Sequence, residues 1–515
     1  MILVQLNKEG FQNDVHSLVK AFFPSEDVSI YIADEDQKTG IEIQLVMQLK
    51  NRYVLNKEGK RNEKDKVHLY LCVDYTEQQV VITLYSPKAE TGDEWEKKCE
   101  KKFVINYNDH KTERNLLKQN LYSVIYAYTG RTLPWGTLTG VRPTKIPMSM
   151  LEEGKHAQDI ADYMMHTYNT SKEKTDLSID IASRELRLLQ KLDYKNGYSL
   201  YVGIPFCPST CLYCSFTSFP LSEWASRIDD YLDALEKELA STAKMFSDKY
   251  LKCIYIGGGT PTTLTPRQLE RLLTYIESKF DFSNLAEYTV EAGRPDSITK
   301  EKLKVIQAHG ITRISINPQT MKQHTLELIG RRHTVEQTRD SFCLARETGF
   351  DHINMDLIMG LPNETLSDVQ NTMEELRRME PDNITVHSLA VKRASRLNMD
   401  KEAYSGLQIV NTQEHLDVAA KVCAQMNMHP YYLYRQKNMA GNFENVGYAK
   451  EGKEGLYNIL IMEEKQTIIA CGAGSISKRV YPDGRIERSE NVKDVSQYIE
   501  RIGEMIERKR VLLED

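Results

Sequence analysis

Residues 207–214 read Cys207-Pro-Ser-Thr-Cys211-Leu-Tyr-Cys214, a C-x3-C-x2-C triplet drawn from the chain's nine cysteines. The other six are scattered through strand-like and helix-like stretches, and an odd, dispersed set is not a disulfide framework. Three thiolates this close point to a metal centre. Structural zinc would ask for a fourth ligand and usually for paired C-x2-C units, and no neighbouring residue fits that spacing. The triplet suits a 4Fe-4S cube with three irons held by protein and one left open to a substrate or cofactor. About 50 residues on stands Gly257-Gly258-Gly259-Thr260-Pro261. Glycines there let backbone amides and carbonyls approach a ligand closely.

These residues need strands to hold them. After residue 195 the sequence repeats apolar strand, turn and amphipathic helix: YSLYVGIPF, KCIYIGG, EYTVEA, RISINPQ, HINMDLIMG and NITVHSLAV are the six strands. Strands joined by crossover helices run parallel, are buried on both faces and therefore read as nearly continuous apolar runs. Their C-terminal ends, where the polar residues gather, form the rim on which a parallel barrel carries its chemistry. The expected architecture is α/β, a partial (β/α)6 barrel over 196–400, preceded by an α+β domain over 1–114 and a helical connector over 115–195. In the first of these, VSIYIAD, IEIQLVMQLK, VHLYLCVDY and VVITLYS alternate as half-buried antiparallel strands, and the charge run Lys57–Lys66 reads as a solvated hairpin loop. Residues 401–515 form a mixed region with helices near 411–427 and 493–510 and strand-like YNILIM and TIIACGAGS between them.

At 515 residues, 41% hydrophobic and 27% charged, the chain has an ordinary globular mix and room for several domains. Its net charge of −6 and its lack of a basic stripe interleaved with aromatics speak against nucleic-acid binding. No window approaches the roughly 20 apolar residues of a membrane span, and the start turns polar too soon for a signal peptide, so a cytoplasmic location is expected.

The cysteine triplet after the first strand of a (β/α)6 unit, followed by the Gly-Gly-Gly-Thr-Pro segment, resembles the radical S-adenosylmethionine (SAM) enzymes. Residues 198–480 are similar to their coproporphyrinogen branch, the oxygen-independent coproporphyrinogen III oxidases and relatives. The match extends to the HemZ-like subgroup, whose extra N-terminal region corresponds to residues 1–190. The resemblance implies a 4Fe-4S cluster on Cys207, Cys211 and Cys214, with SAM chelated to the open iron and cleaved to a 5′-deoxyadenosyl radical. It implies SAM contacts from Tyr201 in YVGIPFC, from Gly258, Gly259 and Thr260, from Glu291 in TVEAGRP, and from Gln319 in ISINPQT. Arg331 in LIGRRHT, Asp356 in NMDLIMGLP and Ala390 in VHSLAVK complete that set. It also implies that residues 401–515 form a covering region.

The implied reaction is oxidative decarboxylation of two propionates of coproporphyrinogen III to the vinyl groups of protoporphyrinogen IX, a step of haem biosynthesis. An electron donor such as flavodoxin or ferredoxin would reduce the cluster. For a substrate with four propionates on an apolar macrocycle, the cations expected at the rim are Arg332, His333, Lys392, Arg393, Arg396 and Arg435. The run Pro430-Tyr-Tyr-Leu-Tyr-Arg-Gln-Lys-Asn438 is a candidate substrate wall. One departure from the branch's founding members bears on substrate: they carry a fourth cysteine where this chain has Phe216. The phenylalanine form also occurs in haem-chaperone and haem-degrading relatives, so a haem-binding chaperone and a haem-modifying radical enzyme both stay open.

Overall fold

The computed structural model describes residues 1–33, 67–76, 79–88, 94–105, 109–392, 395–400, 404, 406–436 and 439–514. The chain divides into two compact units, Met1–Gly140 with Glu153–Ile179, and Val141–Glu152 with Asp180–Asp515.

The first unit is built on a five-stranded sheet of β1 (Ile2–Leu6), β2 (Val28–Ile32), β3 (Leu69–Tyr75), β4 (Val80–Pro87) and β5 (Trp95–Phe103), in the order β2-β1-β3-β4-β5. Period-two alternation decides its faces. Ile2, Val4 and Leu6 enter the main core, whereas Leu3 points to the opposite side with Tyr70. The all-antiparallel expectation fails at β1, which runs parallel to both β2 and β3. Its five apolar-rich residues at the N-terminus were not read as a strand, and inserting a central strand between β2 and β3 sets their direction. Strand β5 was also missed, because its repeated lysines and glutamates hide a half-exposed edge. IEIQLVMQLK and the charge run Lys57–Lys66 lie outside the described residues. Helix His110–Thr129 starts on the Asp109 cap and sends Leu117, Leu121, Val124 and Ile125 into this unit's core. The boundary expected at 114/115 therefore falls inside a helix that the core needs.

The second unit holds an eleven-stranded sheet. Its six parallel central strands are the ones read from the sequence: β6 (Gly197–Ile204), β9 (Tyr250–Gly258), β10 (Glu287–Glu291), β11 (Arg313–Ser315), β12 (Ile353–Met359) and β13 (Asn383–Ser388). A minor pair, β7 (Phe206–Cys207) and β8 (Phe219–Pro220), brackets the cysteine loop. The crossover helices begin where the local chemistry says they should. Thr265, Thr334 and Thr365 each cap a helix, reciprocated by Gln268, Gln337 and Asp368 three residues on. Thr265 and Thr365 follow the loops at the C-terminal ends of β9 and β12 and so pin those rim loops on their far side, while Thr334 follows the short helix Gln323–Leu328 beyond β11.

The region after residue 400 is α+β, and its strands extend the same sheet at both ends. β14 (His429–Tyr434) and β15 (Asn445–Ala449) add antiparallel beyond β13, while β16 (Thr467–Cys471) lies parallel to β6 and carries the antiparallel β17 (Ile476–Val480) and β18 (Ile486–Glu490). YNILIM is not a strand but part of helix Leu456–Glu463, which buries Tyr457, Ile459 and Leu460. A short apolar run without a period reads equally as either element. Among the described residues no helix is long and apolar enough to cross a membrane.

Candidate functional site

The C-terminal ends of the central strands open into a cavity of about 410 Å³, within the range of small-molecule sites. All twelve sequence-expected site residues line it: Cys207, Cys211, Cys214, Tyr201, Gly258, Gly259, Thr260, Glu291, Gln319, Arg331, Asp356 and Ala390.

The cysteine loop leaves β7 and is tied from several sides. Leu212 N–H donates to Ile329 O at 2.9 Å and Ser209 Oγ to Gly330 O at 3.0 Å. All three cysteines are free thiols; Cys211 is buried and the other two are half-buried. Burial pushes the Cys207 and Cys214 thiols up, a cost that a bound cation removes by taking the thiolate. Among the described residues, His429, Glu451 and Glu454 alone form a trio of His, Cys or acidic ligand atoms all within 4.8 Å of one another. Three closely spaced thiols on one loop suit the irons of a cluster.

The glycine turn after β9 is pressed against this loop. Gly259 N–H donates to Ile204 O at 2.8 Å and Thr260 N–H to Phe206 O at 2.7 Å. Gly258 has φ +106°, and a Cβ on Gly259 would stand 2.6 Å from Phe206 O, so both positions require glycine. Thr260 Oγ1 lies 3.5 Å from Cys207 Sγ.

Across the cavity the strand ends present carboxylates and amides. Glu291 accepts from the Tyr255 hydroxyl and, at 3.1 Å, from Asn317 Nδ2. Asp356 accepts from Asn354 Nδ2 at 2.8 Å and faces His387 Nε2 at 3.7 Å. Burial, then the neighbouring Asp356, pushes the Glu291 carboxyl up. Asp356 is held below the usual range, since His387, Asn354 and Arg313 outweigh its own burial. Gln319 sits in a left-handed conformation, φ +68°, bonded to β12 through Asp356 O at 2.9 Å and Ile358 N at 3.0 Å. Arg331 is 7% exposed, donates to Asn317 O and to Gly293 O at 3.4 Å, and keeps Nε without a partner among the described residues. The floor is aromatic: Tyr201 stacks on Tyr255 with centroids 6.3 Å apart, and Tyr255 on Tyr457 at 4.6 Å.

The residues fit the group expected there. Three uncrosslinked sulfurs face a backbone cradle that admits no Cβ, beside half-buried carboxylates and a guanidinium with an unmet donor, a set suited to a cluster and to a zwitterionic nucleoside.

Lining residues missed in the sequence include Arg294, Asn317, Tyr255 and His387. Each is a polar or aromatic residue interrupting or directly following an apolar parallel strand, and that interruption was the available signal. Of the expected rim cations among the described residues only Lys392 lines the cavity, its Nζ 5.7 Å from the ring of Phe216. Arg332 and Arg396 are exposed elsewhere, and Arg393 lies outside the described residues. His333 is fully buried beside Arg331, and Arg435 is buried with Nη2 on Asn442 Oδ1 at 2.8 Å. Neither reaches the cavity, because their strand and loop turn them into the packing. From the expected substrate wall Tyr434 and Gln436 reach it, whereas Tyr431, at the irregularity between Pro430 and Tyr432, and Tyr432, stacked under Tyr434, are buried in the core. Lys437 and Asn438 lie outside the described residues.

Residues 201–376 match the radical SAM superfamily. The chain is 40% identical over 420 residues, covering 78% of this chain and 83% of the other, to the oxygen-independent coproporphyrinogen-III oxidase-like protein HemZ of Bacillus subtilis (strain 168). It is 33% identical to the heme chaperone HemW of the same organism, over 59% of this chain and 76% of that one. It is 26% identical to the oxygen-independent coproporphyrinogen III oxidase of Salmonella typhimurium, over 62% of this chain and 68% of that one.

Proposed function

Because the chain belongs to the radical SAM family that includes HemZ, HemW and the oxygen-independent coproporphyrinogen III oxidases, we propose that it decarboxylates coproporphyrinogen III oxidatively to protoporphyrinogen IX. The observation that carries this reading is the convergence of the free cysteine triplet, the glycine cradle and the Glu291–Asp356 carboxylates on one cavity.

Cys207, Cys211 and Cys214 would hold a 4Fe-4S cluster, which with bound SAM would supply the radical chemistry needed to remove hydrogen from the β-carbon of a propionate. The chain's own residues do the positioning. Gly258 and Gly259 let backbone amides and carbonyls meet the methionine end of SAM, with Thr260 beside Cys207. Glu291 and Asp356 accept from ribose hydroxyls or the amino group, Arg331 offers its unmet Nε–H to a carboxylate, Gln319 and Ala390 bound the nucleoside side, and Tyr201 packs beneath it. Lys392 and the exposed ring of Phe216 stand at the cavity edge, a cation beside an apolar face, as a propionate-bearing macrocycle requires.

A second reading has its own support: Phe216, 72% exposed at that edge, occupies the place of the fourth cysteine, and the haem chaperone HemW is among the similar proteins. The deciding experiment is anaerobic incubation of reconstituted protein with dithionite, SAM and coproporphyrinogen III, followed by mass spectrometry. 5′-Deoxyadenosine with tri- and dicarboxylic porphyrins supports the decarboxylase. Stoichiometric haem binding with all carboxylates retained overturns it in favour of haem handling.

A further inference from the structure

Arg294 occupies an unusual position for an arginine. It follows β10, is 3% exposed, and its guanidinium bonds to the cysteine loop. Asp296 grips it bidentately, with Nε–H donating to Oδ1 at 2.9 Å and Nη2–H to Oδ2 at 2.8 Å. Ser209, between two of the cysteines, takes two more donors: its carbonyl accepts from Nη1 at 3.3 Å and its hydroxyl from Nη2 at 3.1 Å. The remaining direction of Nη1 points at Cys211 Sγ, 3.7 Å away.

A fork held by a carboxylate on one edge and by main chain on another is preorganised. A mere surface ion pair would leave the guanidinium free to turn. Here its charge is fixed beside one sulfur, the buried member of the triplet. N–H donors to a ligating sulfur withdraw electron density from it, and hydrogen bonding and net charge around a cluster are the levers by which protein sets its potential.

We propose that Arg294 is a positioning residue for the iron–sulfur centre that raises its reduction potential through Cys211, with Asp296 as the brace that keeps it aimed. The proposal rests on the reading of the three cysteines as cluster ligands. The step it controls is a one-electron reduction: one electron passes from a low-potential carrier, dithionite in the test, to the oxidised cluster, with no bond made or broken and no proton moved. A fixed cation beside the sulfur stabilises the state with the extra negative charge.

The test uses the full chain, reconstituted anaerobically, as wild type, Arg294→Gln, Arg294→Lys and Asp296→Asn. Iron and sulfide are counted, and the midpoint is read by electron paramagnetic resonance in a mediated dithionite titration without SAM. Arg294→Gln is expected to load its cluster and to reduce about tenfold less favourably, a midpoint lower by about 59 mV for one electron. Arg294→Lys keeps the charge without the fork and should fall between, whereas Asp296→Asn both frees the guanidinium and deletes a neighbouring negative charge and serves as a control on cluster loading. If Arg294→Gln loads no cluster, Arg294→Lys decides: a lowered midpoint upholds the proposal and an unchanged one overturns it. A loaded Arg294→Gln cluster with the wild-type midpoint overturns it outright. A wild-type chain that takes up no iron and sulfide overturns the cluster reading itself, a different result from a loaded cluster that is indifferent to Arg294.

Discussion

Asp356 and His387 face each other from neighbouring parallel strands, the imidazole Nε2 3.7 Å from the carboxylate Oδ2. Their pairing divides the labour between the two cavity carboxylates: Asp356 is held below the usual range and stays ionised, while burial and the Asp356 charge push Glu291 up. On acidification Glu291 therefore takes its proton first. A depressed carboxylate stabilises the fold above its unfolded value of about 3.9 and loses that contribution as pH falls through the lower folded value. His387→Gln should cost about 1 kcal/mol at neutral pH, a figure suited to a partly exposed pair, and the cost should shrink as pH drops into the carboxylate range. Urea midpoints of wild type and variant against pH measure it; a difference that does not change with pH would count against this coupling.

Gln319 holds a left-handed backbone while bonding both ways to β12. Glycine takes that conformation without strain and a β-branched residue does not. Gln319→Gly should keep the wild-type melting temperature within a few degrees yet weaken SAM binding, whereas Gln319→Val should destabilise by about 1–3 kcal/mol. Melting curves and SAM titrations on the same preparations separate the backbone from the side chain. Equal melting of the two variants would mean that the left-handed turn carries no strain.

The glycine cradle makes a sharper demand. A methyl group on Gly259 would run into the Phe206 carbonyl, one residue before Cys207. Main chain cannot swing aside as a long side chain does, so Gly259→Ala should push the cysteine loop off its place and cost about 1–3 kcal/mol, the usual toll of overpacking. Iron content after reconstitution should fall with it. A fully loaded Gly259→Ala protein would show that the turn and the cysteine loop are not coupled.

What could be read in the sequence was what has local chemistry. The six parallel strands declared themselves by continuous apolar runs, and the cysteines, glycines and strand-end carboxylates by their spacing. β1 escaped because its place depends on partners far along the chain, β5 because its lysines and glutamates mask an edge strand, and YNILIM because a buried apolar run has no period to betray its helix. Arg294 and His387 were overlooked for a related reason: a lone polar residue among apolar ones shows its value only when Cys211 or Asp356, distant in sequence, is set against it. Arg435 and His333 failed in the opposite sense, since a basic residue near a rim can as well be turned inward and spent on packing.

Glu185 is such an inward charge, and it makes the last prediction. It is fully buried, and neither carboxylate oxygen has a hydrogen-bond partner among the described residues. Burial first, then the facing Glu463, pushes its carboxyl well up. Arg142, the cation nearby, is committed to Glu464 at 2.7 Å and to the Met462 carbonyl at 3.0 Å, while Glu463 takes a donor from Thr144 at 3.2 Å. With a raised folded value the native state holds a proton that the unfolded chain releases. Stability should therefore fall as pH climbs from the unfolded value of about 4.3 towards the folded one. Glu185→Gln removes the titration and keeps the shape, so it should raise stability near pH 8 by about 1–3 kcal/mol, the scale of an unmet buried polar group, and flatten the decline seen in wild type. Melting temperatures of both proteins from about pH 5 to about pH 8 follow it. Parallel curves would mean that Glu185 keeps its charge at neutral pH and that some partner supports it.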